Sequence, residues 1–501
     1  MNFQELLNLI SSGNPPNICI DSRIVKDGDI FVAIKGSIYD GHDFIDQAIE
    51  NGAKYIVCEK SSRITSDEQR ATITVDDSTE AAAILAQKAK GNPAKYLTNL
   101  AVTGTNGKTT VAFLVRSCIQ QAGEKCGLIG TVIYDTCSDK AQEAPLTTPD
   151  CLTIAAGQSE MLKNSAKYMV IEASSHALDQ NRLANINFKA AAFTNLTGDH
   201  LDYHKTREDY LAAKTKLFSN LSPDEVAVLN KESEDTDLIA EKTNADILWY
   251  AIEEKADLIA HIESMDVNGA VFTLEYKNLS AVVKTPLLGR YNISNHLAAA
   301  GLCLAVGIDL KSIAAGLSAL KLIPGRLEKV EEPQATSNES QATILIDYAH
   351  TDDALKNVLS TLKPLCKGKL RVVFGCGGDR DRSKRPRMAQ VAEELADFVI
   401  VTSDNPRTEN PDAIINEILT GFKKIEPRAA SHESQLLRII PDRRKAIETA
   451  VVTAGKNDIV LIAGKGHENY QIIGKQKFHF SDKEIAQQCL EKLQRYNLAG
   501  F

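Results

Sequence analysis

Eight consecutive residues, Thr103-Gly104-Thr105-Asn106-Gly107-Lys108-Thr109-Thr110, join small side chains, one lysine and several hydroxyls between an apolar run and Val111-Ala112-Phe113-Leu114-Val115. Small residues let backbone N–H groups turn toward phosphate oxygens, a lysine adds a point charge beside a transferred phosphate, and a threonine hydroxyl offers an oxygen to magnesium. ATP chemistry is therefore the first expectation, with Gly104, Thr105, Asn106, Gly107, Lys108, Thr109 and Thr110 as nucleotide contacts. The loop is a variant: the common phosphate loop has a glycine six residues before its lysine, where this chain has Val102.

Further chemistry clusters downstream. Glu172 closes the apolar run Met169-Val170-Ile171 and opens Ala173-Ser174-Ser175-His176, and a carboxylate at a strand end near a phosphate loop is placed to hold magnesium. The plain alternative is an acid interacting with a helix dipole. Thr194-Asn195-Leu196-Thr197-Gly198-Asp199-His200-Leu201-Asp202-Tyr203-His204 follows the next apolar run, and this concentration of His and Asp reads as a site. Lys214 lies in an Ala-rich helical stretch, where spacing alone favours a solvated side chain.

These groups need a scaffold. The chain has 501 residues, too many for one core, and divides into about three domains. Runs such as Ile30-Phe31-Val32-Ala33-Ile34 and Tyr55-Ile56-Val57-Cys58, with a helical stretch over 78–90, indicate a small α/β unit at 1–94. Gly91-Asn92-Pro93 breaks that helix ahead of the strand feeding the phosphate loop. Short apolar runs ending in polar residues, Lys167 to Ile171 and Ala190 to Phe193, indicate buried strands of a doubly wound central domain at 95–325. Beyond Pro324-Gly325 the alternation resumes with Ile344-Leu345-Ile346, Arg371-Val372-Val373-Phe374, Phe398-Val399-Ile400-Val401 and Ile459-Val460-Leu461-Ile462, which predicts a Rossmann-like domain at 326–501. The expected fold class is thus α/β in three domains, the central one an ATPase-like parallel sheet with a phosphate loop. Residues 334–341 are polar and read as a surface loop.

Composition sets limits. The formal charge of −9, from 57 basic and 66 acidic residues, argues against a broad nucleic-acid-binding face. No run of about 18 apolar residues exists to span a membrane and no secretory signal opens the chain, so a cytoplasmic protein is expected. The ten cysteines form no C-x-x-C pair, which favours reduced thiols over zinc or disulfides.

Taken in order, Glu172-Ala-Ser-Ser-His, Asp199-His200-Leu201-Asp202-Tyr203-His204, Ala212-Ala213-Lys214, Gly289-Arg290-Tyr291-Asn292-Ile293-Ser294-Asn295, Pro324-Gly325-Arg326-Leu327-Glu328 and Asp347-Tyr348-Ala349-His350-Thr351 resemble the motifs of the Mur ligases across nearly the whole chain. That family extends the peptide stem of the bacterial cell-wall precursor: ATP phosphorylates a substrate carboxylate, an amine attacks the acyl phosphate, and ADP and phosphate leave. The resemblance implies that Thr109 and Glu172 hold one magnesium, and that His200 and Lys214, carbamylated by carbon dioxide to N6-carboxylysine, hold a second. Lys108, Lys214, His200 and Glu172 are then the catalytic residues. It further implies that Asn292 and Asn295 meet adenine, and that Arg326 and Asp347 meet the γ-phosphate and the ribose from the third domain, so closure of that domain completes the ATP site.

The same resemblance makes Ser22 and the Lys35-Gly36-Ser37 turn candidates for contacts to a uridine nucleotide, although Asp21-Ser22-Arg23 is also a common capping turn. Thr147, Thr148, Ser174, Gln180 and Arg182 are the expected contacts to the muramoyl-peptide portion of a UDP-muramoyl-dipeptide, with a surface ion pair the plainer reading of Arg182. In the third domain Gly375-Cys376-Gly377-Gly378-Asp379-Arg380-Asp381-Arg382, Asp404-Asn405-Pro406-Arg407 and Gly464-Lys465-Gly466-His467-Glu468 each follow a strand and can share one pocket. Asp-Asn-Pro-Arg is similar to the signature of ligases that add meso-diaminopimelate. Arg380 and Arg407, expected as buried arginines, suit its distal carboxylate and Glu468 its ammonium, with Asp404, Asn405 and Gly464 completing the site.

The family usually has proline after Asp-Tyr-Ala-His-Thr, where this chain has Asp352; that alters loop stiffness near the nucleotide and leaves Asp347 and His350 in place. The expected partners are small molecules, the UDP-muramoyl-dipeptide, meso-diaminopimelate and ATP, with a monomer expected and neither nucleic acid nor membrane insertion. Two competing readings remain: ligation of lysine or another diamino acid, and a non-catalytic phosphate-loop nucleotide switch.

Overall fold

The computed structural model describes residues 1–11, 15–36, 39–59, 71–197, 201–330, 342–423 and 436–498. Residues 198–200, the polar loop 334–341 and Ser37 lie outside them.

Three sheets follow one another along the chain. The first has four parallel strands in chain order, Ile18–Cys19, Ile30–Val32, Tyr55–Glu59 and Ala71–Val75. Asp77 caps the helix Ser78–Ala89 by accepting from the Thr79 and Glu80 amides, and that helix lays an alanine-rich face on the sheet.

The second sheet has eleven strands. Its parallel centre runs Val226–Asn230, Phe188–Phe193, Thr98–Thr103, Tyr168–Glu172, Cys126–Ile129, mainly apolar and mostly buried because helices cover both faces. One face carries Lys108–Gln121, Arg290–Ala305 and Leu310–Ala319; the other carries Cys151–Lys163 and Arg207–Ser219. The strand Thr98–Thr103 lies between the strands Phe188–Phe193 and Tyr168–Glu172, so the loop after it opens at the point where successive crossovers run to opposite sides. An antiparallel meander, Leu258–Asp266, Gly269–Tyr276 and Leu279–Thr285, extends one end of the sheet. Alternation of exposed and buried residues along it was not read from the sequence.

The third sheet has six strands, parallel except for the short edge strand Glu328–Lys329, in the order Glu328–Lys329, Thr343–Asp347, Ile459–Ala463, Leu370–Phe374, Phe398–Val401, Leu437–Ile439. The helices Asp352–Leu362, Lys384–Leu395 and Pro411–Leu419 pack on one face, Arg443–Val452 and Asp482–Leu498 on the other. This is the Rossmann-like alternation expected from the sequence. Behind its carboxyl edge the fully buried Arg443 pairs with Asp482 through Nε–Oδ1 (2.8 Å) and Nη2–Oδ2 (2.7 Å), and donates to the Ala463 carbonyl (2.9 Å). A hairpin, Tyr470–Ile473 with Gln476–His479, leans over the same edge.

The ten cysteines are all free thiols. Among the described residues no helix is long and apolar enough to cross a membrane.

The helix Arg290–Ala305 buries His296 completely. Its Nδ1–H donates to the Asn292 carbonyl (2.6 Å), and Nε2 accepts from the Thr285 hydroxyl (3.1 Å). Burial pushes the imidazole down from its ordinary 6.5 to about 4. The unfolded chain therefore takes up the proton first: this group's contribution is complete above pH 6.5 and declines as pH falls toward 4. Urea unfolding should lose about 2 kcal/mol from this residue alone between pH 7 and pH 5. His296→Gln is expected to show a smaller loss over that interval, and equal losses in the two proteins would refute the assignment.

Candidate active site

Gly107, at φ +90, makes the turn from the strand Thr98–Thr103 into the helix Lys108–Gln121. A Cβ there would strike Asn295 Oδ1 at 2.3 Å, so the helix Arg290–Ala305 presses directly against the loop. Asn295 in turn donates to Asn292 Oδ1 (3.1 Å), which holds both buried amides behind the phosphate loop. Lys108 Nζ curls back to the carbonyls of Gly104 (2.8 Å) and Thr105 (2.9 Å). The neighbouring strand end braces the loop: Asn106 N–H donates to Asn195 Oδ1 (3.0 Å), and the Thr197 amide donates to Thr105 Oγ1 (2.9 Å).

Glu172 is fully buried at the end of its strand, and both carboxylate oxygens are engaged. Oε1 accepts from the Thr131 amide (2.8 Å); Oε2 accepts from the hydroxyls of Thr109 and Thr131, each at 2.9 Å. Thr131 was not identified from the sequence. Its signal is Gly130, where a Cβ would meet Glu172 Oε1 at 2.2 Å. The donors here are one carboxylate and two hydroxyls, the hard oxygen set that suits magnesium. Among the described residues no group of three or more His, Cys, Asp or Glu side chains could hold a metal ion. The oxygens offered at this point are those of Glu172, Thr109 and Thr131.

Lys214 is 1 % exposed, against the solvated side chain that spacing alone favours. The helix Arg207–Ser219, capped by Thr206, directs its ammonium to the Gly104 carbonyl (2.9 Å) and over the Tyr210 ring (4.4 Å). His200, its expected partner, lies outside the described residues. Lys108, Lys214, Thr147, Thr148, Ser174 and Arg182 line one cavity of about 250 Å³. Within it Thr148 Oγ1 donates to the Glu172 carbonyl (2.6 Å), and Arg182 donates to the Thr148 carbonyl (2.7 Å) and to Gln180 Oε1 (2.7 Å). Arg182 is therefore a brace within the cavity wall and not a surface ion pair. Ser22 stands apart, with its hydroxyl donating to Gln47 Oε1 (2.6 Å), while Asp21 accepts from the Arg23 amide as a cap.

The third lobe reaches into this centre. Arg326 stacks on Tyr348 and donates from Nη2 to Thr109 Oγ1 (3.3 Å). Asp347 is buried, its oxygens accepting from the Leu327 (2.7 Å) and Ala349 (2.8 Å) amides, and burial raises its pKa above the ordinary carboxylate value. Asp353, not identified from the sequence, accepts at one oxygen from Asn106 Nδ2 (3.0 Å) and Thr197 Oγ1 (2.8 Å) of the second lobe.

At the carboxyl edge of the third sheet the expected loops converge. Asn405 Nδ2 donates to Glu468 Oε2 (2.9 Å), Lys465 Nζ donates to the same oxygen (2.9 Å), and Arg407 Nη1 donates to the Gly378 carbonyl (2.8 Å). Gly464, at φ +114, lets Asp404 pass within 2.7 Å of where a Cβ would stand. The two arginines differ from the expectation of buried side chains. Arg380 is exposed and donates to the Asp379 carbonyl (3.3 Å), and Arg407 is half-buried. The buried arginine of this edge is Arg385, held by Glu409 (2.8 Å) and Glu417 (2.7 Å), with the Glu409 carboxyl held down to about 2 chiefly by its bond to Arg385.

Comparison with known proteins agrees with this arrangement. Residues 16–100 match the description "Mur ligase family, catalytic domain", residues 102–303 "Mur ligase middle domain", and residues 325–466 "Mur ligase, glutamate ligase domain". The chain is 42% identical over 488 residues, 96% of each chain, to a protein of Geobacillus kaustophilus named UDP-N-acetylmuramoyl-L-alanyl-D-glutamate–2,6-diaminopimelate ligase. It is 40% identical over 474 residues, 94% of each chain, to a protein of the same name from Clostridium botulinum. A solved structure of a ligase of that name superposes with a TM-score of 0.67 at 32% identity, covering 98% of this chain and 99% of the other. The fold is shared with MurF ligase from Thermotoga maritima in complex with ADP, at a TM-score of 0.60 and 19% identity, covering 98% of this chain and 99% of that one.

Because Asp353 is one acceptor serving two donors of another lobe, Asp353→Ala and Thr197→Val act on one interaction. Removing the acceptor should cost about 1–3 kcal/mol, and the two changes should be non-additive by at least about 0.5 kcal/mol. A double-mutant cycle in urea unfolding measures this, and strictly additive effects would rule the shared bond out.

Proposed function

The chain belongs to the Mur ligase family, and on that footing we propose that it is an ATP-dependent ligase joining 2,6-diaminopimelate, as the meso isomer, to the D-glutamate of UDP-N-acetylmuramoyl-L-alanyl-D-glutamate with release of ADP and phosphate. The observation that carries the choice of amino acid is the meeting of Asp404, Asn405 and Glu468 with Arg407 at one sheet edge. A half-buried guanidinium and a carboxylate suit the carboxylate and ammonium of one amino-acid end.

The roles divide by lobe. The backbone from Gly104 to Thr110 cradles the phosphates, and Lys108 leaves its two carbonyl partners to meet the transferred phosphoryl group. Asn292 and Asn295 bind adenine behind the loop; Asp347 binds ribose through lone pairs its two amide bonds leave free. Arg326, already at Thr109, moves onto the γ-phosphate, which supports assembly of the ATP site by closure of the third lobe. Thr147, Thr148, Ser174, Gln180 and Arg182 present the muramoyl-peptide carboxylate to that phosphate from the cavity wall. Ser22 contributes to the uridine-nucleotide site through its backbone surroundings, its hydroxyl being taken by Gln47. Attack by the amine on the acyl phosphate then yields the amide and phosphate.

Magnesium, when bound, neutralises phosphate charge; Thr109 and Glu172 are its holders at one position, His200 and Lys214 at the second. Carbamylation of Lys214 converts a donor into an anionic oxygen ligand, and its burial in the wall that also holds Lys108 supports that chemistry. Diaminopimelate is held by Arg380, Asp404, Asn405, Arg407, Gly464 and Glu468. We place the domain limits at 1–94, 95–325 and 326–501, and the enzyme in the cytoplasm as a monomer.

Two substitutions test the scheme. Lys108→Ala should lower ADP release, followed with both acceptors present, by at least about a hundredfold, since the transferred group loses its fixed charge. Near-normal turnover would sink the phosphate-loop assignment. Arg407→Ala should raise KM for meso-diaminopimelate by at least about thirtyfold, the equivalent of losing a charge pair worth about 2 kcal/mol, and leave KM for ATP within about twofold. An unchanged KM for the diamino acid, with mass spectrometry still identifying its adduct, would refute the assignment of Arg407.

A further inference from the structure

Lys465 stands between two glycines at the end of the strand Ile459–Ala463, Gly464 at φ +114 and Gly466 at φ +54. These left-handed positions turn the chain so that the lysine points into the third lobe, where it is 0 % exposed. Its ammonium donates to Glu468 Oε2 (2.9 Å) and to Asn405 Oδ1 (3.1 Å). Asn405 Oδ1 also accepts from the Ile472 amide (3.0 Å), so the side-chain amide has one orientation: oxygen toward Lys465, NH2 toward Glu468.

Two cations, Arg407 and Lys465, and two anions, Asp404 and Glu468, are gathered at the strand ends, with Arg380 exposed beside them. Arg443 behind them is neutralised by Asp482. An edge that mixes buried and half-buried cations with carboxylates suits an amino-acid end that carries one ammonium and one carboxylate. It is mismatched to a lone ammonium, because the carboxylate that would attract it already shares an oxygen with a buried lysine.

We propose that Lys465 is a specificity-determining residue: it offsets Glu468, so that a diamino acid gains from that carboxylate only when its own distal carboxylate is present to meet the cations. The inference rests on the assignment of this edge to the diamino acid. Without Lys465, Glu468 would hold the side-chain ammonium of L-lysine as a simple ion pair.

The test compares kcat/KM for meso-diaminopimelate and for L-lysine in the unmodified enzyme, Lys465→Met, Lys465→Arg and Arg407→Ala, with KM for ATP as the control for an intact nucleotide site. Lys465→Met should lower the diaminopimelate-to-lysine ratio at least about tenfold with KM for ATP held, and Lys465→Arg, which keeps the charge, should retain most of the ratio. A merely structural lysine would lower both substrates together, and a ratio unchanged in a folded Lys465→Met protein overturns the proposal. If Arg407→Ala raises KM for diaminopimelate while Lys465→Met leaves the ratio intact, this inference alone falls; if neither substitution affects diaminopimelate, the assignment of the edge falls with it. Should Lys465→Met not fold, the unmodified enzyme decides with 2-aminopimelate, which keeps the distal carboxylate and lacks the ammonium. The proposal expects it to be used better than L-lysine, and the reverse order overturns it.

Discussion

The carboxylate of Glu172 is the group on which the centre depends. A bare charge buried at the heart of a parallel sheet would be prohibitively costly, so every oxygen must find a donor. Here the donors come from two different crossovers: Thr109 at the start of the phosphate-loop helix, and Thr131 beyond the adjacent strand. Satisfying one carboxylate therefore fixes the helix Lys108–Gln121 and the turn at Gly130 relative to the strand Tyr168–Glu172. Thr109 is also where Arg326 arrives, so the same cluster registers the position of the third lobe.

Polar contacts cross the seam to that lobe, beside apolar packing of Val267, Leu288 and Tyr291 of the second lobe on its core. Arg326 and Asp353 cross it with single hydrogen bonds to Thr109, Asn106 and Thr197, whose individual net strength is modest. The third lobe itself is stiff by contrast, with two separate apolar cores and the buried Arg443–Asp482 pair behind its carboxyl edge.

Asp352 shows how a departure from a family pattern is absorbed. Thr351 caps the helix Asp352–Leu362 by accepting from the Ala354 amide (3.2 Å), which puts Asp352 at the first helical position. Proline is favoured there because that N–H has no helical partner, and an acid is favoured there because the helix dipole is positive. Asp352 adds a pair with Arg387 (2.9 Å) on the next helix. The helix start is kept, with charge in place of a locked φ, and Asp353 keeps its position at the seam.

The sequence by itself determined the chain of α/β units, the phosphate loop, the strand-end carboxylate and the loops that gather at the third sheet edge, because these are local: a short string of residue types at the end of an apolar run carries its own geometry. Two readings needed the folded chain for the opposite reason. Lys214 on an Ala-rich helix looks solvated until the packing of that helix over Gly104 buries it. Arg380 looks like a partner of Arg407 until the turn at Asp379 leaves it in water, while Arg385 takes the buried place. Thr131, Asp353 and Lys465 each take their place from a partner 41, 247 or 60 residues away in sequence. Hydrogen bonding and burial at such separations are properties of the assembled sheets, and only the tertiary structure decides them.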